Sequence, residues 1–531
     1  MLMKYFNNTY FLLCLLILLK SKRVLSQATT SVPSKHYMIE NELCNYPCVD
    51  PWMFKDFYVN KSYAPCEKSL PLVYLEKIDG KVFAVINSTI KTTLLNFTCC
   101  IKNVYRVKEG GIPDNNIAES YCVQFDIEGR LELNNDVVKA TCHKIEDHGF
   151  EHIYENVFGL FAPKNIKQKT LKVRDDPKSL SVLVFVVDSV SKQNFMRLMP
   201  ETHDYLIDKG WIHFKAYNKV DKDSLGNALA FLTGYSEKLA FETFGNPAEK
   251  YFDDYPFIWN DYQKYGYVTA YAEDYSIMNT FNKDTKGFFQ PPTDYYFRHF
   301  SVATERLNTT YLDNMPHCTG PENTGERVLN LAIDFAKTFQ NYPYFGLFWI
   351  NSFSHEDFNA FGRMDNKMVQ FFSILEDLIN NSIVLFMSDT GYIKTEITYT
   401  NLGSFESKMP FFYAYLPATF RNRFKDETEN IEENASKLVS LFDVHATLHD
   451  ILAISGTHVV KDVKSCPKCV SLFRYVPSIR SCSDAGIDEK WCNCYKNVSL
   501  LEGAVGRMDT ASGAGTKTYG FLSVIIFLYF L

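Results

Sequence analysis

The chain has 531 residues, 46% hydrophobic and 15% aromatic, a composition that excludes wholesale disorder. That length exceeds one compact core and points to about two or three domains. A net charge of −7, with 55 Lys and Arg against 62 Asp and Glu, leaves no electrostatic basis for binding nucleic acid.

Residues 1–26 read as a signal peptide. Lys4 supplies the charged start, Tyr10 to Leu19 form the apolar run, and Val24-Leu25-Ser26 precede a cleavage point at Gln27. That run is too short to cross about 30 Å of hydrocarbon as a helix. Lys20, Lys22 and Arg23 would suit an uncleaved anchor, but the short run favours cleavage. Sequons at Asn60, Asn87, Asn96, Asn308, Asn380, Asn434 and Asn497 then imply glycosylation. Of 14 cysteines, Cys14 leaves with the signal, so 13 remain and one lacks an intrachain partner. A free thiol and an interchain bridge are both open for it.

Residues 40–170 carry Cys44, Cys48, Cys66, Cys99, Cys100, Cys122 and Cys142 among short alternating stretches such as Val82 to Ile86. They read as a disulfide-stapled, β-rich amino-terminal domain. Residues 180–455 hold only Cys318, so stapling gives way to a larger core. There, near-continuous apolar runs end in polar residues. Ser181 to Val187 meets Asp188, Tyr267 to Ala272 meets Glu273, Tyr344 to Ile350 meets Asn351, and Ile383 to Met387 meets Ser388-Asp389. Runs without alternation predict strands buried on both faces. Met364 to Leu378 and Leu438 to Leu452 read as amphipathic helices. The fold class is α/β, a doubly wound, mostly parallel sheet. Its ligands are expected beyond the carboxyl ends of the strands.

Residues 456–500 are cysteine-rich again. Cys466 and Cys469 have a CxxC spacing that zinc can use, although a disulfide is the expected use in a secreted chain. Residues 509–531 begin with small side chains (Asp509 to Ala514), pass through a polar spacer, and end in the apolar run Phe521 to Leu531. That is the pattern of a glycosylphosphatidylinositol attachment signal, against the alternative of a frayed hydrophobic terminus. The expected place is extracellular or the cell surface, with the outer membrane leaflet as a partner through the lipid anchor.

Asp188 and Asp389 each follow a buried strand, and two carboxylates at one sheet edge suit a hard or borderline cation. Ser224 opens a helix-like run, where a metal could activate its hydroxyl. The plainer readings are a loop aspartate and an ordinary helix cap.

The stretches VLVFVVDSVSKQNFMRLMPETHDYL, FKAYNKVDKDSLGNALAFLTG and FWINSFSHEDFNAFGRMD, with CNYPCVDPW ahead of them, resemble one family. It is the secreted invertebrate family catalogued as domain of unknown function 229, in the alkaline phosphatase and sulfatase superfamily. The resemblance covers residues 40 to 455. It implies a metal-dependent hydrolase or transferase of phosphoesters or sulfoesters, with zinc or another divalent metal. It also implies Asp188, Asp389, Asn351 and His355 as metal ligands and Ser224 as nucleophile, where the family usually has Thr. A two-metal clamp would stabilise both the attacking and the leaving oxygen.

Departures from the pattern weigh against that activity. The His expected after Asp389 is Thr390, and Ile393 and Thr398 stand where the family usually has Arg. Asn351 is a neutral ligand, no third histidine can be placed, and His445 reads as a core or surface residue. The nucleophile region also lacks the Cys-x-Pro-x-Arg pattern of a sulfatase proper. The sequence thus favours a catalytically impaired protein that binds an extracellular ligand. An active hydrolase, and a structural glycoprotein with no site, are the alternatives.

Overall fold

A computed structural model describes residues 37–494, except 53–56, 67–70, 88, 90–95, 126–128, 163–178, 395–399 and 457–460. The expected signal peptide and lipid-attachment signal, Thr398 and Asn497 lie outside the described residues. Among the described residues, no helix is long and apolar enough to cross a membrane.

The central element is a seven-stranded sheet. In chain order its strands are β1 (Ser181–Val187), β2 (Ile212–His213), β3 (Val268–Glu273), β4 (Tyr295–Tyr296), β5 (Tyr344–Ile350), β6 (Ser382–Met387) and β7 (Phe412–Tyr415). They lie side by side in the order β2-β7-β6-β1-β5-β3-β4. The β6, β1, β5, β3 and β4 strands are parallel neighbours, and β7 runs antiparallel to β6 and to β2. All seven residues of β1 are buried, and they alternate between two cores. Val182, Val184 and Val186 join one face, and Leu183, Phe185 and Val187 join the other. Burial on both faces is why this run lacks the polar alternation of a half-exposed strand.

Helices cover both faces. On the first lie α2 (Ser224–Thr233) and α6 (Leu441–Ile454). On the second lie α1 (Lys192–Leu198), α3 (Thr324–Thr338) and α4 (Asp365–Glu376), with Phe195, Phe335 and Phe371 pointing inward. A further helix, α5 (Asn401–Ser407), leads into β7.

Two antiparallel sheets form the amino-terminal part, three-stranded around Lys81–Ile86 and five-stranded around Phe97–Arg106. They share a small core of their own, including Val82, Ala84, Ile101 and Ala140. Disulfides Cys99–Cys142 and Cys100–Cys122 close this part locally. Cys66–Cys318 and Cys44–Cys494 instead tie it to the central and carboxy-terminal segments. Stapling therefore extends beyond residues 40–170. Cys466–Cys469 and Cys482–Cys492 are also disulfides, and the one free cysteine among the described residues is Cys48, which is exposed.

One sequon needs correction. Asn434 is fully buried, and its amide donates to the carbonyls of Leu472 and Arg474 at 2.9 and 2.6 Å, so the folded chain cannot carry a glycan there. Asn60, Asn96, Asn308 and Asn380 are exposed.

His445 is a core residue of α6, with Nδ1 3.1 Å from the Phe231 carbonyl. Gly234 ends α2 at φ +74, and a Cβ there would strike this ring. Burial pushes the His445 pKa down to about 4. A depressed histidine stabilises the fold above its unfolded pKa, and that stability is lost as pH falls from about 6.5 towards 4. The ring alone accounts for about 3 kcal/mol. His445→Gln, which keeps an N–H for Phe231, should flatten the fall in denaturation midpoint between pH 7 and 4. An unchanged slope would remove His445 from the acid response.

Candidate functional site

Parallel pairing places the site. Val186 of β1 registers with Met387 of β6, so the next residues, Asp188 and Asp389, emerge side by side at the carboxyl edge. Both are buried. Asp188 Oδ1 accepts from Ser224 Oγ at 2.8 Å, and Oδ2 accepts from Ser189 Oγ at 2.9 Å. His355 Nδ1 lies 2.5 Å from the same Oδ2. Ser224 is the first residue of α2, whose cap, Asp223, leaves its own side chain out of the capping.

Asp389 Oδ1 accepts the Ser189 N–H at 3.3 Å, and Oδ2 is buried with no hydrogen bond. Ser189 takes φ 60, a strained conformation that turns its amide to one carboxylate and its hydroxyl to the other. The two loops are further joined by Val190 N–H to Ser388 Oγ at 2.9 Å.

The two carboxylates titrate in opposite directions. Burial would raise Asp188, but the His355 charge and hydrogen bond, with those from Ser224 and Ser189, outweigh it and hold the pKa below the usual range. Asp389 has no imidazole bonded to it as Asp188 has. Burial and then the Asp188 charge push it up to about 7, against the Ser224 hydroxyl and the Ser189 amide.

Above the pair opens a cleft of about 490 Å³. Ser189, Ser224, His355 and Thr390 form its floor side. Lys222, Lys283 and Lys394 line it together with Asp223, Glu237 and Asp284, so its wall carries both signs of charge, and Phe241, Pro247 and Met278 supply apolar wall. Ile393 also lines it, at one of the two positions expected to hold arginine.

Residues 60–508 match the family described as "Protein of unknown function (DUF229)". The chain belongs to that family. No curated protein matches it in sequence. Among solved structures it is similar to the lipoteichoic acid synthase LtaP from Listeria monocytogenes. That pair is 15% identical, with 58% of this chain and 79% of that one covered, at a TM-score of 0.37. It is also similar to a protein in the alkaline phosphatase superfamily from Vibrio parahaemolyticus, at 12% identity, 56% and 71% coverage and a TM-score of 0.37. The periplasmic domain of EcEptC from Escherichia coli, in a complex with Zn, gives 12%, 61%, 93% and 0.37.

In this DUF229 chain, the fold brings Asp188, Ser224, His355 and Asp389 together. Asn351 is engaged elsewhere. Its amide donates to Glu273 Oε1 at 2.8 Å and its backbone N–H to Asp274 Oδ1 at 2.8 Å. Glu273 also accepts from Thr280 and Tyr271, and Asp274 from Ser352. Burial raises both carboxyls, Glu273 to about 7, and hydrogen bonds work against the rise. This neighbouring cluster is a closed polar network.

A metal can be tested against these contacts. The unpartnered Asp389 Oδ2 is an atom a cation would engage. His355 Nε2, also buried with no hydrogen bond, is a second such atom, whereas His355 Nδ1 is committed to Asp188, Asn351 to Glu273, and the Thr390 hydroxyl to the Gly391 and Ser407 carbonyls at 3.2 and 3.3 Å. The residues do not fit the two-ion clamp that the family resemblance implies. Among the described residues, two other sets of three candidate ligand groups, Cys66 with His317 and Cys318 and Cys482 with Cys492 and Cys494, have their sulfurs in disulfides.

Sequence reading missed Ser189, Lys219 and Glu406, all buried here and all shaping the site. Gly391 offers a direct probe of the loop after Asp389. A Cβ there would collide with the Glu406 carbonyl and the Ser407 Cα, both backbone atoms that cannot swing aside. Gly391→Ala should destabilise the protein by about 1–3 kcal/mol through overpacking. Denaturant titration would register this, and a loss below about 0.5 kcal/mol would mean that the loop yields freely.

Proposed function

We propose that this protein is a glycoprotein of the cell exterior whose alkaline phosphatase-like domain is catalytically impaired and acts by binding. The ligand is of the phosphoester or sulfoester class, held in the cleft over Asp188 and Asp389 with its anionic group towards Lys222, Lys283 and Lys394. One observation carries this reading: at Thr390, where the superfamily places an imidazole ligand, the hydroxyl is bound into the protein. Losing even a group behind a metal ligand lowers affinity about 10–100-fold, and losing the ligand itself should do at least as much. The six disulfides among the described residues support an oxidising compartment. Attachment to the outer leaflet by a lipid anchor belongs to the same proposal. Release of the protein from cells by phosphatidylinositol-specific phospholipase is its check.

A second reading is favoured by the unpartnered Asp389 Oδ2 beside Ser224. It is a working hydrolase or phospho-headgroup transferase with Ser224 as nucleophile. A divalent cation, when bound, would lower the hydroxyl pKa and neutralise the ester's charge.

The ectodomain, residues 27–508, purified without chelators, separates the two. Elemental mass spectrometry should find zinc well below one per chain. Phosphomonoester, phosphodiester and sulfate-ester hydrolysis should equal that of Ser224→Ala. Stoichiometric zinc that Asp389→Ala removes, with turnover that Ser224→Ala abolishes, would sink the binding reading.

A further inference from the structure

A buried lysine bonds the side chain of the residue that follows Asp389. Lys219 follows the short strand Ala216–Asn218 and is 1% exposed. Its Nζ donates to Thr390 Oγ1 at 3.0 Å and to the Lys222 carbonyl at 3.3 Å, and it lies 4.8 Å from the centre of the Trp491 ring. None of these three partners is an anion. A buried ammonium is costly unless a negative charge compensates it.

The anion that acts most strongly on it is Asp389. Burial lowers the Lys219 pKa to about 8, and among the charges that pull it back up Asp389 acts most strongly, ahead of Asp223 and Asp221. Thr390 is the residue after Asp389 and receives the lysine's hydrogen bond directly. The lysine therefore reaches the carboxylate's own loop through the very side chain that stands at the position of the missing imidazole. Lys219 is also fixed by its backbone, whose N–H donates to the Lys408 carbonyl at 3.0 Å. Its ammonium is held by two hydrogen bonds and the Trp491 ring.

We propose that Lys219 is the built-in cation of this site, taking the electrostatic place of a divalent ion beside Asp389 and repelling that ion. The inference deepens the reading of the domain as a binding protein and rests on it. A monovalent, immobile ammonium balances one of the two carboxylates and offers a ligand no open coordination position. The floor of the cleft is then close to neutral or anionic, and the anionic part of a ligand is left to the lysines at the walls. Lys219 acts through Asp389 and Thr390, so it is a positioning residue.

Zinc affinity, measured by calorimetric titration of the ectodomain with zinc alone, reads this directly. Removing a buried like charge that is bonded to the loop of Asp389 should tighten zinc binding of Lys219→Gln by about tenfold or more. Lys219→Arg, which keeps the charge, should stay at the wild-type value. Adding the imidazole, Lys219→Gln/Thr390→His should approach one zinc per chain. A purely structural lysine predicts no gain in either glutamine variant. Folded Lys219→Gln that binds zinc no better than wild type overturns the proposal. Should Lys219→Gln fail to fold, Thr390→His alone decides. Tight zinc with Lys219 still present overturns the proposal, and unchanged weak binding upholds it. Tight zinc in the wild type would instead remove the functional reading beneath it.

Discussion

Arg480→Met is expected to destabilise the protein by about 3–5 kcal/mol, because it strands a buried carboxylate. Arg480 and Asp443 are 3% and 0% exposed and meet in a two-pronged pair, Nη1 to Oδ2 and Nη2 to Oδ1, both at 2.9 Å. Nη1 also donates to the Leu438 carbonyl at 3.0 Å. Asp443 serves the third position of the α6 capping box, accepting the Ser440 N–H at 2.9 Å, and it takes the Val470 N–H at 3.1 Å. The pair thus joins the start of a core helix to the cysteine-rich carboxy-terminal segment. Methionine preserves much of the volume and none of the charge, so packing loss is small beside the unpaired anion. Denaturant unfolding under oxidising conditions measures the loss. A value below about 1 kcal/mol would mean that Asp443 keeps its charge on backbone donors alone.

The strands were legible because burial on both faces leaves a strong trace. Ser181 to Val187 and Tyr344 to Ile350 are strands over the spans their apolar runs mark. Parallel register then makes the polar residue after each run a candidate, and this logic reaches Asp188 and Asp389 without any contact being known. It fails at Asn351, which also follows a strand, because the competing carboxylates Glu273, at the end of the next strand, and Asp274, just after it, claim its amides. Which neighbour a polar side chain turns to is a tertiary fact.

Lys219 and Glu406 were illegible for a related reason. A lysine or glutamate in a polar stretch ordinarily reads as solvent-facing, since such groups are almost never fully buried unless paired. Their partners, Thr390 and Arg197, are 171 and 209 residues away in the chain. Ser189 carries its information in a positive φ, which no side-chain pattern announces. Disulfide partners 450 and 252 residues apart were equally beyond reach, since spacing constrains only local bridges.

Arg197→Met should cost about 3–5 kcal/mol and disturb the site as well. Arg197 on α1 grips Glu406 on α5 through Nη1 to Oε1 at 2.9 Å and Nη2 to Oε2 at 2.6 Å, and the guanidinium lies 5.3 Å from the centre of the Phe358 ring. Glu406 also accepts from Ser191 Oγ, the cap of α1, at 3.1 Å. Next along the chain, the Ser407 carbonyl receives the Gly391 N–H at 3.0 Å and lies 3.3 Å from Thr390 Oγ1. The helix after Asp188 and the loop after Asp389 are therefore clamped to each other through one buried ion pair. Breaking it leaves Glu406 charged in the core and frees the loop that holds Thr390 against Lys219. The double variant Arg197→Met/Glu406→Met removes both charges, and replacing a whole buried pair by apolar side chains is often neutral or stabilising. Stability is thus expected to recover in the double variant to within about 1 kcal/mol of wild type. Zinc affinity would then report the loop separately. Recovery of stability with a changed zinc affinity assigns the clamp to the site, and recovery of both assigns it to the fold alone.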